Sequence, residues 1–199
     1  MKKARVGIFG GTFNPPHIGH IEAARAFARG AELDNLIIMP AFIPPHKEYN
    51  STVSCDERLE MCRIAFKDIK KTLVSDLEIS RGGKSYTYLT LKELTNDNVE
   101  LFFLCGTDMI LTMDTWKNPD IIFALANICY IRRESDPEAT ALLDVKCKEY
   151  REKYNARIIP IDAQVIEISS SEIRSNKDKA DAYLSAEVLE YIRKTGLYE

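Results

Sequence analysis

The chain has 199 residues, 45% of them hydrophobic and 29% charged, with a formal net charge of −3 at pH 7. This composition fits one globular domain over residues 1–199, with enough chain to bury a substantial core. It argues against a protein that coats nucleic acid, which needs a basic field. No apolar run approaches the ~20 residues of a membrane span, and Met1-Lys2-Lys3-Ala4-Arg5-Val6 lacks the apolar core of a secretion signal, so a cytoplasmic protein is expected. Cys55, Cys62, Cys105, Cys129 and Cys147 form no C-x-x-C pair. They read as free, largely buried thiols rather than disulfides or a metal cluster.

In chain order, Arg5–Phe9 reads as a first strand. Gly10-Gly11-Thr12-Phe13-Asn14-Pro15-Pro16-His17 then lead into an Ala-rich amphipathic helix over Ile18–Arg29. Asn35–Met39 is a second strand, followed by an irregular stretch over Pro40–Asn50. A helix over Cys55–Asp68 opens with an S-x-x-E capping box, Ser54 to Glu57. The pattern continues with a strand at Leu73–Ile79, a helix at Tyr86–Thr95, a strand at Val99–Cys105 and a helix at Pro119–Ala126. A strand at Asn127–Arg133, a helix at Pro137–Tyr154 and a strand at Arg157–Ile161 follow. Helices at Ser171–Asn176 and Ser185–Thr195 complete the series. The alternation predicts an α/β fold: a Rossmann-like, doubly wound parallel sheet with helices on both faces. Leu36-Ile37-Ile38-Met39 and Leu101-Phe102-Phe103-Leu104 are continuously apolar, as in strands buried on both sides. Ligands of such sheets bind beyond the carboxyl ends of the strands, at the switch in strand order.

Two motifs carry chemistry. A Gly10-Gly11 turn between a strand and a helix start gathers backbone N–H groups and the positive end of a helix dipole, which suits a phosphate. His17 and His20, two of only three histidines in the chain, lie on one face of that first turn. Gly19 between them costs ~1 kcal/mol of helix propensity against Ala, which implies a close approach to the backbone there. Near the other end, Ile168-Ser169-Ser170-Ser171-Glu172-Ile173-Arg174 has two readings. Ser169 to Glu172 is another capping box, yet three hydroxyls and an arginine one turn on also describe an anion site.

Together the motifs resemble the nucleotidyltransferase superfamily that carries H-x-G-H and I-S-S-S/T-x-x-R. More narrowly, Gly10 to His20 resembles the signature of the bacterial nicotinate-nucleotide adenylyltransferase family. Pro44-Pro45-His46-Lys47, Ser85-Tyr86-Thr87, Gly106-Thr107-Asp108 with Trp116, Arg132-Arg133 and the closing Tyr191 to Tyr198 match it in family order. Asn14 stands where many members have Asp.

The resemblance implies transfer of AMP from ATP to nicotinate mononucleotide, with pyrophosphate released and no covalent enzyme intermediate. It gives His17, His20, Thr12 and Arg174 to catalysis at the phosphates. Gly10, Gly11, Phe13, Gly106, Asp108, Ile168 and Ser170 would bind ATP. Lys47 and His46, Thr87, Trp116 and Arg133 would bind the mononucleotide. Several of these positions also have plain readings: Asp108 as a helix cap, Thr87 as an N-cap, Trp116 as core and Lys47 as a solvated lysine. Magnesium would arrive with ATP, held by phosphate and water. The implied partners are the two nucleotides, with no nucleic-acid polymer and no membrane, and a homo-oligomer is compatible with the reading. The alternatives are a phosphopantetheine adenylyltransferase-like enzyme, or a non-catalytic nucleotide sensor on the same fold.

Overall fold

The computed structural model of the chain describes residues 2–45, 52–131, 137–164 and 166–198. Among the described residues, six strands form one sheet: β1 (Ala4–Gly11), β2 (Asn35–Pro40), β3 (Thr72–Val74), β4 (Val99–Gly106), β5 (Ala126–Ile131) and β6 (Ile158–Ile161). All pairings are parallel, in the order β3-β2-β1-β4-β5-β6. The helices are α1 (Ile18–Gly30), α2 (Cys55–Phe66), α3 (Leu77–Arg81), α4 (Thr87–Leu94), α5 (Thr107–Thr112), α6 (Pro119–Leu125), α7 (Pro137–Tyr154), α8 (Ser170–Ser175), α9 (Lys177–Tyr183) and α10 (Ala186–Thr195). No helix among the described residues is long and apolar enough to cross a membrane.

Alternate side chains of each central strand enter different cores, which is why those strands are apolar throughout. Leu36, Ile38, Phe102, Leu104 and Cys129 pack with Phe27 of α1, Met61 and Phe66 of α2 and Val188 of α10. Ile37, Met39, Phe103, Cys105 and Ile128 pack instead with Leu91 of α4, Ile110 of α5, Ile122 of α6 and Tyr150 of α7. The doubly wound architecture expected from the alternation is present. All five cysteines are free thiols; Cys55 is half-buried and the other four are buried. Burial pushes the Cys129 thiol up to about 12, which keeps it inert.

The expected strand at Leu73–Ile79 is corrected. Only Thr72–Val74 pairs, and Leu77–Arg81 is a short helix. The residues between them decide this: the Ser75 hydroxyl accepts the Leu77 N–H at 3.2 Å, and the Asp76 carbonyl accepts the Ser80 N–H at 2.7 Å. Local capping chemistry ends the strand after Val74. Two helices not expected from the periodicity, α5 and α9, are each a turn or two long.

Because β2 and β4 flank β1 on opposite sides, the chain's winding reverses there. The ends of β1 at Gly11, β2 at Pro40 and β4 at Gly106 meet at that switch. It is the crevice in which such sheets bind ligands.

Candidate active site

The loop after β1 builds the site. Gly11 has no Cβ, and one placed there would sit 2.9–3.2 Å from the Phe13 ring. That space admits the ring, which the positive φ of Phe13 (48°) turns inward. Phe13 is 2% exposed and meets Phe9, Phe66 and His20 edge-on, at centroid distances of 5.4, 5.7 and 5.0 Å. Expected among the ATP contacts, Phe13 can serve there only through its backbone, since its ring is core.

His17 is the N-cap residue of α1, one position before the helix proper, and is buried; His20 is half-buried. Their ring centroids lie 3.7 Å apart with planes 30° from parallel, so the sequence spacing does bring the pair together. The His17 backbone N–H donates to Nδ1 of His20 at 3.2 Å. Nδ1 is therefore the unprotonated nitrogen, and the imidazole proton sits on Nε2, where it can be donated to an anion.

The close approach implied by Gly19 has a local source. A Cβ there would lie 3.1 Å from Nδ1 and 3.2 Å from Cε1 of His17, and 3.4 Å from the Ile166 carbonyl. The helix thus gives up propensity to seat a histidine ring. Gly19→Ala should leave the melting temperature level or slightly raised, because Ala favours the helix by ~1 kcal/mol. Turnover should fall by about tenfold as the His17 ring is displaced. Parallel melting curves and kcat measurements check this; unchanged kcat would separate the His17 position from catalysis.

The second motif docks on the first. The Ser170 hydroxyl donates to the Pro15 carbonyl at 2.9 Å, and Arg174 Nη1 donates to the Asn14 carbonyl at 2.7 Å. Arg174 Nη2 also donates to the Ser171 hydroxyl at 3.2 Å. The capping box forms as well: the Ser169 amide and hydroxyl both donate to Glu172, and the Ser169 hydroxyl accepts the Glu172 N–H. Lys179 and Ser169 hold the Glu172 carboxyl down at about 2. The capping reading is borne out, and Ser170 and Arg174 reach the carbonyls of the first loop. Ile168, half-buried, leads into it.

At the end of β4, Gly106 is the N-cap residue of α5 and makes no side-chain cap bond. Asp108 lies in the first turn and is exposed, and since Gly106 holds the N-cap position, Asp108 does not cap this helix. Among the described residues, nothing lies within 4 Å of a Cβ placed at Gly106. Thr87 is the first residue of α4, and the N-cap position belongs to Tyr86. Trp116 is half-buried, 6.4 Å and edge-on from Phe103, so its ring is neither fully core nor fully solvated. Lys47, His46, Arg132 and Arg133 lie outside the described residues.

Three participants were not singled out from the sequence. Arg58 of α2 is completely buried. It donates through Nη1 to the Thr12 carbonyl at 2.8 Å and through Nη2 to the Ala41 carbonyl at 2.6 Å. It thereby ties the loop after β1 to the loop after β2. The available signal was its place on the buried face of α2, four residues before Cys62 and beside Leu59. Tyr198 donates its hydroxyl to Asn14 Oδ1 across 184 residues. Glu78, buried next to Ser85 and Thr90, was hidden by the strand assignment.

A glycine turn, paired imidazoles and an arginine from a distant helix converge at the switch point of a parallel sheet. A cytidylyltransferase-like family model matches residues 8–176. Fold, motifs and match together make the chain a nucleotidyltransferase of the H-x-G-H class. The chain is 38% identical over 199 residues to the "Probable nicotinate-nucleotide adenylyltransferase" of Clostridium botulinum, covering 98% of each. It is 35% identical over 214 residues to the protein of that name from Desulfatibacillum aliphaticivorans, covering 98% of this chain and 99% of the relative. The chain belongs to the nicotinate-nucleotide adenylyltransferase family. Its fold is also similar to that of Plasmodium falciparum nicotinic acid mononucleotide adenylyltransferase complexed with NaAD. That likeness has a TM-score of 0.75 at 19% identity and covers 98% of this chain and 97% of the other.

Proposed function

We propose that this chain transfers the AMP moiety of ATP to nicotinate mononucleotide, forming nicotinate adenine dinucleotide and pyrophosphate on the route to NAD. The observation that carries this reading is the docking of Ser170 and Arg174 onto the loop that holds His17 and His20. It unites the two phosphate motifs in a chain whose relatives align end to end.

A phosphate oxygen of the mononucleotide attacks the α-phosphorus of ATP, the bond to the β-phosphate oxygen breaks, and pyrophosphate departs with the electron pair. The attacking group is already an anion, so no protein nucleophile is required. The barrier is the meeting of two polyanions, and positioning with charge stabilisation lowers it. His20 donates its Nε2 proton to an α-phosphate oxygen, and His17 holds His20 in that tautomer while facing the same phosphates. Thr12 stands beside the reacting phosphate, and Gly10, Gly11 and the Phe13 backbone line its approach. The Ser170 backbone N–H, at the start of α8, and Arg174 hold the β- and γ-phosphates, with Ile168, Gly106 and the Asp108 carboxylate toward the adenosine. Thr87 and Trp116 receive the pyridine ring, and Lys47, His46 and Arg133 answer the mononucleotide phosphate. Magnesium belongs to the MgATP substrate.

A pyrophosphate-release assay with ATP and, in turn, nicotinate mononucleotide, nicotinamide mononucleotide or phosphopantetheine tests the assignment. Fastest turnover with the nicotinate compound is expected. Preference for phosphopantetheine would reassign the substrate, and no release with any acceptor would make the chain a nucleotide sensor. Trp116→Ala should raise the KM for nicotinate mononucleotide by about 3- to 10-fold, the worth of one aromatic stack. The KM for ATP should stay nearly constant; equal effects on both would return Trp116 to the core.

A further inference from the structure

Next to the segment assigned to the pyridine ring is a buried polar cluster that the proposed mechanism leaves unused. Its centre is Glu78 of α3, whose side chain is 9% exposed. Its carboxylate accepts from the Thr90 hydroxyl of α4, and the nearby Ser85 hydroxyl favours its ionised form. Arg81 Nη2 donates to the same Thr90 hydroxyl at 3.0 Å and lies 3.9 Å from Glu78, while its Nη1 meets Glu93 at 3.1 Å. Ser85 carries the connection onward. Its hydroxyl accepts the Phe42 N–H at 2.9 Å, and its own N–H donates to the Ile43 carbonyl at 2.9 Å, beside a parallel bridge between Ile43 and Lys84.

The chemistry of the central group fixes the direction of every bond. An ionised carboxylate only accepts, so Thr90 spends its single proton on Glu78, and the Ser85 proton, with its oxygen turned to Phe42, is free to point the same way. The Ser85 oxygen then presents a lone pair to Phe42, and the Thr90 oxygen presents one to Arg81. An amide in this place also donates, and one hydroxyl would have to reverse. Burial pushes the Glu78 carboxyl up, against the downward pull of the Thr90 and Ser85 hydroxyls and Arg81. A fold that needed only a hydrogen-bonded spacer here would avoid that desolvation with a neutral side chain.

We propose that Glu78 is a positioning residue for the pyridine mononucleotide. Through Ser85 it sets the loop over residues 41–45, and through Thr90 it sets the first turns of α4. These are the two walls between which the pyridine end is held, and the loop leads directly to His46 and Lys47. The proposal rests on the function given above.

Glu78→Gln, nearly isosteric, tests it by steady-state kinetics with each substrate varied in turn, together with thermal melting. The KM for nicotinate mononucleotide should rise by about tenfold, while the KM for ATP stays within about twofold of the parent. Ser85→Ala should show the same split, and the double variant should be no worse than the more affected single one, because the two act along one path. If E78Q does not fold, S85A carries the same comparison. Parallel rises in both KM values, or a lower melting temperature with both KM values unchanged, would overturn the proposal. Absence of turnover by the unmodified protein with nicotinate mononucleotide would instead sink the functional reading itself, so the two failures are distinguishable.

Discussion

His20→Ala is expected to lower kcat by about 10²- to 10³-fold, the usual loss when one preorganised donor to a developing charge is removed. The protein should still fold. The imidazole is only half-buried, and its removal leaves one backbone N–H, that of His17, without the Nδ1 acceptor at 3.2 Å. Such a loss costs about 1 kcal/mol, so the melting temperature should move by only a few degrees. Because the donor acts on charge that builds up in the transition state, the KM values should change far less than kcat. Single-turnover pyrophosphate release measured beside a melting curve checks both parts. Near-normal release would remove His20 from the chemistry, and a collapse of the melting transition would make it structural.

Replacing Arg58 should produce the largest loss of stability in the site region. Arg58→Met keeps most of the side-chain volume and removes the guanidinium from the Thr12 and Ala41 carbonyls. Each buried acceptor left unsatisfied costs about 1–3 kcal/mol, so a total of about 3–5 kcal/mol and a fall in melting temperature of roughly 10 °C are expected. Arg58→Lys retains a charge but not the fork that reaches two carbonyls at once, and should fall between the two. Thermal denaturation of the three proteins checks the order. A Met variant within about 1 kcal/mol of the parent would show that the two loops hold their places without the tie.

The sheet was legible because strands buried on both faces leave an unmistakable signal, as at Leu36 to Met39 and Leu101 to Leu104. The two motifs that meet at the site were legible because their residues are consecutive and chemically unusual. The residues that hold the motifs in place were not. Arg58 looks like any helix arginine until the loop carbonyls fold around it, a relation spanning 46 residues to Thr12. Glu78 was concealed by the strand expected over Leu73–Ile79, which Ser75 and Asp76 cut short. Gly19 was correctly read as a point of close approach, but nothing local revealed that a ring of its own helix cap makes that approach. Sequence exposes the groups that would meet the substrate; their supports depend on which distant carbonyls and hydroxyls arrive beside them.

Ser170 bonds to Pro15 across 155 residues, which as a free polymer loop carries a substantial closure entropy. The sheet reduces that cost. Once the sheet has formed, only the nine-residue step from Ile161 to Ser170 and the four-residue step from Gly11 to Pro15 remain to be closed. Logarithmic scaling makes that shorter closure cheaper by about 2 kcal/mol. The latch between the two motifs is therefore entropically a short loop, hung from an edge strand of four residues. Whatever loosens β6 lengthens the effective tether and weakens the docking of Ser170 and Arg174 on the loop after β1 without touching a residue of it.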